Sequence, residues 1–442
     1  MTRSSGSSLA VRGRFVDVTL TDGIPGLRVV EDGLLIVRDG VIDWFGGFAA
    51  GRERIGPDCP LIEHAASLIV PGFIDCHIHF PQMEIIGSHG EQLLEWLERY
   101  AFPAEEQYGD QAYADRMAGL FLDQLLRNGT TTALVFATVH PQSATALFAA
   151  AEERGMRLIC GKVLMDRNCP ETLRDTAEQG YAQSRELIER WHGRQRLGYA
   201  VTPRFAPTST PAQLELAGAL LREFPGLLLQ THLAENRDEI DWVRQLFAGQ
   251  ASYLEVYHRF GLTGAGAVFA HCLHLADAEW GLLAETGSAI AFCPTSNLFL
   301  GSGLFDLGMA RRQGIKVGLA TDVGGGTSMS MLQTLREAYQ VCQLQGSSCS
   351  PADLLYLATL GAAGALGLDG RLGSFDRGKE ADFVVLDPAA TGLLALRTGR
   401  ASSVAEILFA LMILGDDRAV SHTYVAGRCV ADGVQACSAH GC

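Results

Sequence analysis

The chain has 442 residues, 48% of them hydrophobic, which is enough apolar material for one large domain with a smaller companion. Its 35 Lys and Arg against 50 Asp and Glu give a formal charge of −15, which argues against a nucleic-acid polymer as partner while leaving a free base open. No run of about 18 uncharged apolar residues exists to span a bilayer, and the opening MTRSSGSSLAVRGRF lacks the apolar centre of a secretory signal. The eleven cysteines fall singly, with no CxxC pair. Most read as small core residues in the reducing cytoplasm, with Cys437 and Cys442 in a small-residue tail expected to be poorly ordered.

In chain order, residues 8–66 carry short alternating runs such as LAVRGRFVDV and GLLIVRDGVIDWFG, joined by DG turn signals. Eight segments of buried-strand character follow, at 66–79, 130–138, 156–166, 197–205, 227–235, 266–272, 288–294 and 316–322, each succeeded by a helical stretch. Eight strand–helix units predict an α/β fold: a closed (β/α)8 TIM-like barrel over 67–371, whose working residues project from the C-terminal ends of its strands. Residues 372–442, including ADFVVLD and VSHTYVAGRCVADG, return to the hairpin pattern. Together with residues 1–66 they are expected to form a small discontinuous β-sandwich and a tail.

The unusual polar residues fall at the predicted strand ends. His77 and His79, one residue apart on a strand, face the same side and make half a metal site, although an isolated HxH also occurs by coincidence in a core. His232, His271 and Asp322 end later strands and can converge with them at one barrel mouth. Each has a plainer reading: His271 as a satisfied core histidine, Asp322 as a cap of the turn Gly324-Gly325-Gly326, Glu235 as the exposed start of an acidic helix. His274 reads as a surface residue. The glycine turn lacks the GxxxxGK[ST] form of a phosphate loop, and its glycines are expected to let backbone approach a ligand closely. In the segment 91–105, Leu93, Leu94, Trp96, Leu97 and Tyr100 recur at helical spacing after the first barrel strand, which predicts a lid closed by Trp96 or Leu94.

PGFIDCHIH, THLAEN, AHC and TDVGGG, in that order, resemble the metal-site motifs of the amidohydrolase superfamily. Within it, HIHFPQMEIIGSHGEQLLEWLERYAFPAE, TPRFAP, CPTSNLFLGSG and TDVGGGTSMSML are similar to the guanine deaminases. The resemblance implies one zinc ion per chain held by His77, His79, His232 and Asp322, and hydrolysis of guanine and water to xanthine and ammonia. It implies Glu235 as the proton shuttle to the purine ring, Asp322 as acceptor of the water proton, and His271 as the group that orients the water. Gln82, Arg204 and Phe205 would bind the substrate, Glu235 touching it as well, and a homodimer is implied by the resemblance alone. Another amino-heterocycle, such as 8-oxoguanine, a triazine or a pterin, would use the same metal site. Relatives with two metals bridge them by a modified lysine; Lys162 is the nearby candidate and is read as structural.

Overall fold

The computed structural model describes residues 8–89 and 92–432, so the tail carrying Cys437 and Cys442 lies outside the described residues. Four strands open the chain: β1 Ser8–Thr21, β2 Ile24–Arg38, β3 Val41–Gly47 and β4 Leu61–Pro71. The hairpin turns fall where the DG signals place them, with Asp22, Gly23, Asp39 and Gly40 all at positive φ, as a two-residue I′ turn demands. Then come β5 Phe73–His79, β6 Thr130–Phe136, β7 Arg157–Gly161, β8 Val163–Leu164, β9 Leu197–Pro203, β10 Leu228–Leu233, β11 Ala267–His271, β12 Ala289–Phe292 and β13 Val317–Leu319. The last three are β14 Phe383–Leu386, β15 Val420–Val425 and β16 Arg428–Asp432.

Strands β5 to β13 form the parallel barrel, with β7 and β8 sharing one place beside β9. Its interior is filled by Ile74, Leu134, Ile159, Val268 and small residues such as Ala200, Ala270 and Ala291, packed with Ala362 and Ala363 of the helix Leu360–Ala365. Outside, Phe121, Leu125, Phe148, Trp191 and Leu214 bury the apolar stripes of the surrounding helices. The β5–β13 seam closes at one end through backbone bonds, Asp322 N–H to His77 O (2.9 Å) and His79 N–H to Val323 O (2.8 Å).

The structure differs from the expected elements in three ways, the first being that 156–166 is broken at Lys162 into β7 and β8. The segment 66–79 is two strands. Pro71 has no N–H to continue the ladder, and Gly72 passes so close to Thr131 that an added Cβ would lie 2.1 Å from its Oγ1. The flanking sheet therefore runs on to Pro71, past residue 66. The barrel strands also stop short of their expected ends: Ala234, His271, Cys272 and Asp322 take φ of 49°, 72°, 54° and 51°, which no extended strand holds. Glu235 and Asp322 thus sit on the turns that leave the strands, while His77, His79, His232 and His271 lie within or at the ends of β5, β10 and β11.

The two flanks meet in one hydrogen-bonded sheet of order β16-β15-β14-β4-β1-β2-β3. Here β4 lies parallel to β1 and antiparallel to β14, and the sheet encloses its own core of Phe15, Leu35, Phe375, Phe383 and Tyr424. This sheet is tied to the barrel by charge. Glu380 pairs with Arg157, at the start of β7, and with Arg196 (2.6 Å), which also reaches Asp382 (2.5 Å). No helix among the described residues is long and apolar enough to cross a membrane. The nine described cysteines are free, and six of them are buried.

Candidate active site

Three imidazoles and one carboxylate converge at the closed end of the β5–β13 seam. His79 Nε2 lies 3.2 Å from both His77 Nε2 and His232 Nε2, and Asp322 Oδ1 lies 3.1 Å from His77 Nε2 and 3.3 Å from His79 Nε2. His232 is oriented from behind by its Nδ1, 2.6 Å from the Arg204 carbonyl oxygen. A carbonyl only accepts, so Nδ1 carries the hydrogen and Nε2 presents a lone pair to the cluster. Lone pairs facing one another at this range repel unless a cation lies between them. Four ligands at about 2.0–2.1 Å around a tetrahedral ion stand about 3.3 Å apart, so the donor set fits zinc in type and spacing. Burial drives His79 down to about 3 and His232 well below the usual imidazole range, which favours the neutral form that can bind a cation.

Asp75 braces this arrangement from β5. Its carboxylate accepts from the Thr321 hydroxyl (2.5 Å), the Thr321 N–H (3.1 Å) and the His77 N–H (3.2 Å), tying the first and last barrel strands beside the ligands they carry. The motif reading passed over it, although its place two residues before His77 was a usable signal.

Glu235 follows β10 and immediately precedes Asn236, the cap of the helix Arg237–Leu246. It is 2% exposed, so the reading of an exposed helix start does not hold. Its backbone N–H and that of Asn236 donate to Glu239 Oε2 (2.9 and 3.1 Å), while Glu239 Oε1 accepts from the Tyr253 hydroxyl (2.7 Å). The Ser302 hydroxyl donates to Glu235 Oε1 (3.2 Å), and the Ser302 carbonyl is held by His274 Nε2 (2.8 Å), so His274 is a half-buried brace of this site. Burial first, and the charge of Asp322 second, push the Glu235 carboxyl up to about 8. Asp322 moves the other way: burial would raise it, but His77 and the other imidazoles hold it well below the usual carboxylate range. His271, fully buried, stands between the two, with Nε2 3.3 Å from Glu235 Oε2 and 3.6 Å from Asp322 Oδ2, and Nδ1 2.9 Å from Asn297 Oδ1. Asn297, Ser302 and Glu239 were not singled out from the sequence, because nothing local distinguishes them from ordinary polar residues.

Across the cavity from His79 and His232 stand Gln82, Arg204 and Phe205. Gln82 lies on the 3-10 turn that follows β5, and Arg204 directly follows β9. Both are held by Glu105, a fully buried residue of the helix Phe102–Glu106: Arg204 Nη1 donates to its two oxygens at 2.8 and 2.6 Å, and Gln82 Nε2 donates at 2.9 Å. Gln82 Oε1 accepts from the Gly324 N–H (3.2 Å). One end of each polar group on this wall is therefore engaged by the protein itself, which the sequence reading did not foresee. The glycines of 324–326 make this possible: a Cβ on Gly324 would lie 2.5 Å from the Gln82 carbonyl oxygen, and one on Gly326 1.8 Å from that of Thr321. The cavity is roofed by Leu93, Trp96 and Leu97, while Leu94 only packs behind them and Glu91 lies outside the described residues.

Residues 68–430 match the model of the amidohydrolase family. The chain belongs to the amidohydrolase family. It is 55% identical to the guanine deaminase of Escherichia coli (strain K12) over 426 residues, 95% of this chain and 97% of that one. The solved structure of the E. coli guanine deaminase superimposes with a TM-score of 0.94, covering 96% of this chain and 99% of that one. A guanine deaminase from C. acetobutylicum, solved with guanine bound in its active site, superimposes at 0.88 with 29% identity, covering 96% of this chain and all of that one.

In this amidohydrolase Lys162 stands apart from the imidazole cluster. It interrupts the strand between β7 and β8, is wholly buried, and donates to Asp175 Oδ2 (2.5 Å) and to the Val163 carbonyl (3.2 Å). Asp175 also accepts from Gln213 (2.8 Å), so both charges of the pair are satisfied by protein. Replacing Lys162 by Met leaves the Asp175 charge buried without its counter-ion. The expected outcome is a loss of about 3 kcal/mol in denaturant unfolding, with the metal content of the folded protein unchanged.

Proposed function

We propose that this chain hydrolyses guanine to xanthine and ammonia, with one zinc ion per chain held by His77, His79, His232 and Asp322. The observation that carries the reading is the pairing of two walls. An imidazole cluster with its acid–base carboxyls faces a donor wall built from Arg204 and Gln82, in a chain that is an E. coli guanine deaminase relative over nearly its whole length. Zinc, when bound, lowers the pKa of a water towards ~7 and so supplies a nucleophile at neutral pH.

The side chains then have separable tasks. Arg204 donates to the O6 carbonyl of guanine, Gln82 reads the purine edge, and Phe205 packs on the ring face. Glu235, protonated at neutral pH because of its burial, delivers a proton to ring N3 as the water oxygen adds to C2. Without that proton, negative charge would accumulate on the ring. Asp322 takes a proton from the attacking water, and His271, between the two carboxyls, orients that water. N3 keeps the proton from Glu235; of the two water hydrogens, the one taken by Asp322 and the one left on the C2 hydroxyl, one goes to the departing amino nitrogen and the other restores Glu235, leaving the C2 carbonyl of xanthine, free ammonia and both carboxyls as they began.

The protein as isolated is expected to consume guanine, followed by ultraviolet absorbance, and to leave adenine and guanosine unchanged. The same sample should contain about one zinc per chain and elute as a homodimer. Zinc without guanine turnover would refute the substrate assignment. In Glu235→Gln the zinc should remain and turnover should fall by about 10²- to 10⁴-fold; wild-type-like turnover would dismiss Glu235 as the shuttle. Leu93, Trp96 and Leu97 close the cavity as a lid over the bound base. Trp96→Ala should raise KM roughly tenfold, the equivalent of about 1.4 kcal/mol of lost contact, and an unchanged KM with unchanged turnover would dismiss that role.

A further inference from the structure

We infer that Glu105 is a specificity-determining positioning residue: its carboxylate fixes Arg204 and Gln82 as a wall of N–H donors that accepts an oxo group and rejects an amino group at the 6-position of a purine. The inference rests on the guanine reading above and deepens it.

Glu105 is fully buried, comes from the helix Phe102–Glu106 and not from a barrel strand, and both side chains that its carboxylate binds line the cavity. A charge is costly to bury, and an apolar residue would pack there more cheaply if stability were the only requirement. Three features show what the charge does. First, a carboxylate has no hydrogen to give to Gln82, so it selects the amide orientation in which Nε2 faces Glu105. The Gly324 N–H, at 3.2 Å on the other side, selects the same orientation by requiring Oε1. Second, Arg204 gives only Nη1 to Glu105, at 2.8 and 2.6 Å, so the hydrogens of Nη2 and Nε and the second amide hydrogen of Gln82 are those not given to it. Third, the Arg204 guanidinium carbon lies 5.2 Å from the centre of the Phe102 ring, on the same short helix, so one element sets both the plane and the reach of the guanidinium.

A wall of this kind pairs with carbonyl oxygens and ring-nitrogen lone pairs. An exocyclic amino group would meet N–H against N–H, and a buried donor left unpaired is penalised more heavily than a weak contact is. Glu105 touches neither the imidazole cluster nor Glu235. Its removal is therefore expected to alter recognition and to leave the chemistry intact.

The test compares the zinc-loaded wild-type protein with Glu105→Gln and Glu105→Asp, using guanine and 2,6-diaminopurine as substrates and hypoxanthine as an unreactive 6-oxo ligand. A neutral amide in place of the carboxylate can donate to Gln82 or accept from it, so the Gln82 side chain is no longer held in one orientation. In Glu105→Gln, KM for guanine should rise at least tenfold with kcat within threefold. The kcat/KM preference for guanine over 2,6-diaminopurine should fall at least tenfold, and hypoxanthine binding should weaken by a similar factor. Adding Glu105→Gln to Gln82→Ala should cost less than it costs the wild-type protein, because part of what Glu105 does passes through Gln82 and only the part that passes through Arg204 remains. Glu105→Asp, which keeps the charge, should retain more of the discrimination than Glu105→Gln, and it carries the comparison if Glu105→Gln does not fold. A folded, zinc-loaded variant with KM and discrimination within twofold of wild type would overturn the inference, leaving Glu105 a structural counter-ion. If the wild-type protein itself fails to deaminate guanine, the functional reading falls. Hypoxanthine binding then judges the wall on its own, and unweakened binding in Glu105→Gln overturns the inference in that case too.

Discussion

The closing of the barrel between its first and last strands is the constraint on which the site depends. The cluster draws His77 and His79 from β5, His232 from β10, and Asp322 from the turn after β13, so it exists only when the two ends of the strand order meet. The seam is held by the backbone bonds of His77, His79, Asp322 and Val323 and by the Asp75 carboxylate against Thr321 and His77. These bonds lie within a residue or two of the ligand side chains. A cation at the cluster therefore stabilises the folded barrel as well as serving the site, because the unfolded chain holds no such preformed ligand set.

The same mouth concentrates buried acids, and their surroundings sort them into roles. Asp322 stands among imidazoles that favour its charge, while Glu235, equally buried and beside the Asp322 carboxyl, is pushed up. Two carboxyls with opposed tendencies, one on each side of His271, are the arrangement that acid–base chemistry at neutral pH requires. Glu239 satisfies the backbone of the turn bearing Glu235, and Glu105 satisfies Arg204 and Gln82. The cost of burying so much charge is offset by the extensive apolar packing between barrel and helices.

Much of this was legible in the sequence, for physical reasons. Buried parallel strands read as short apolar runs, so eight of them could be counted, and polar residues at their ends stood out against that background. His77, His79, His232, His271 and Asp322 stand out in this way, the family resemblance implies the four without His271, and the structure brings the polar atoms of those four within 4.8 Å of one another. The supporting residues stayed hidden because their importance depends on tertiary neighbours. Glu105 looks like any surface glutamate on a short helix until Arg204, 99 positions later, is placed against it. Ser302 and His274 acquire meaning only from Glu235. The Pro71–Gly72 break was missed because the apolar run continues across it, and only the close approach of Thr131 shows why a glycine stands there.

The place of β4 in its sheet governs the order in which the chain can acquire structure. Leu61–Pro71 pairs with β1 on one side and with Phe383–Leu386 on the other. During synthesis the second edge has no partner until almost the whole barrel has emerged, because the strand that covers it lies near the far end of the chain. The N-terminal strands thus wait as an open template with unpaired backbone groups, a condition that favours association with other chains. The Glu380 and Asp382 contacts with Arg157 and Arg196 lie beside that late strand, so its docking satisfies the sheet edge and the barrel's charges together. During synthesis the sheet cannot be completed before Phe383–Leu386 has emerged, and a chain truncated before Phe383 lacks the strand that covers this edge.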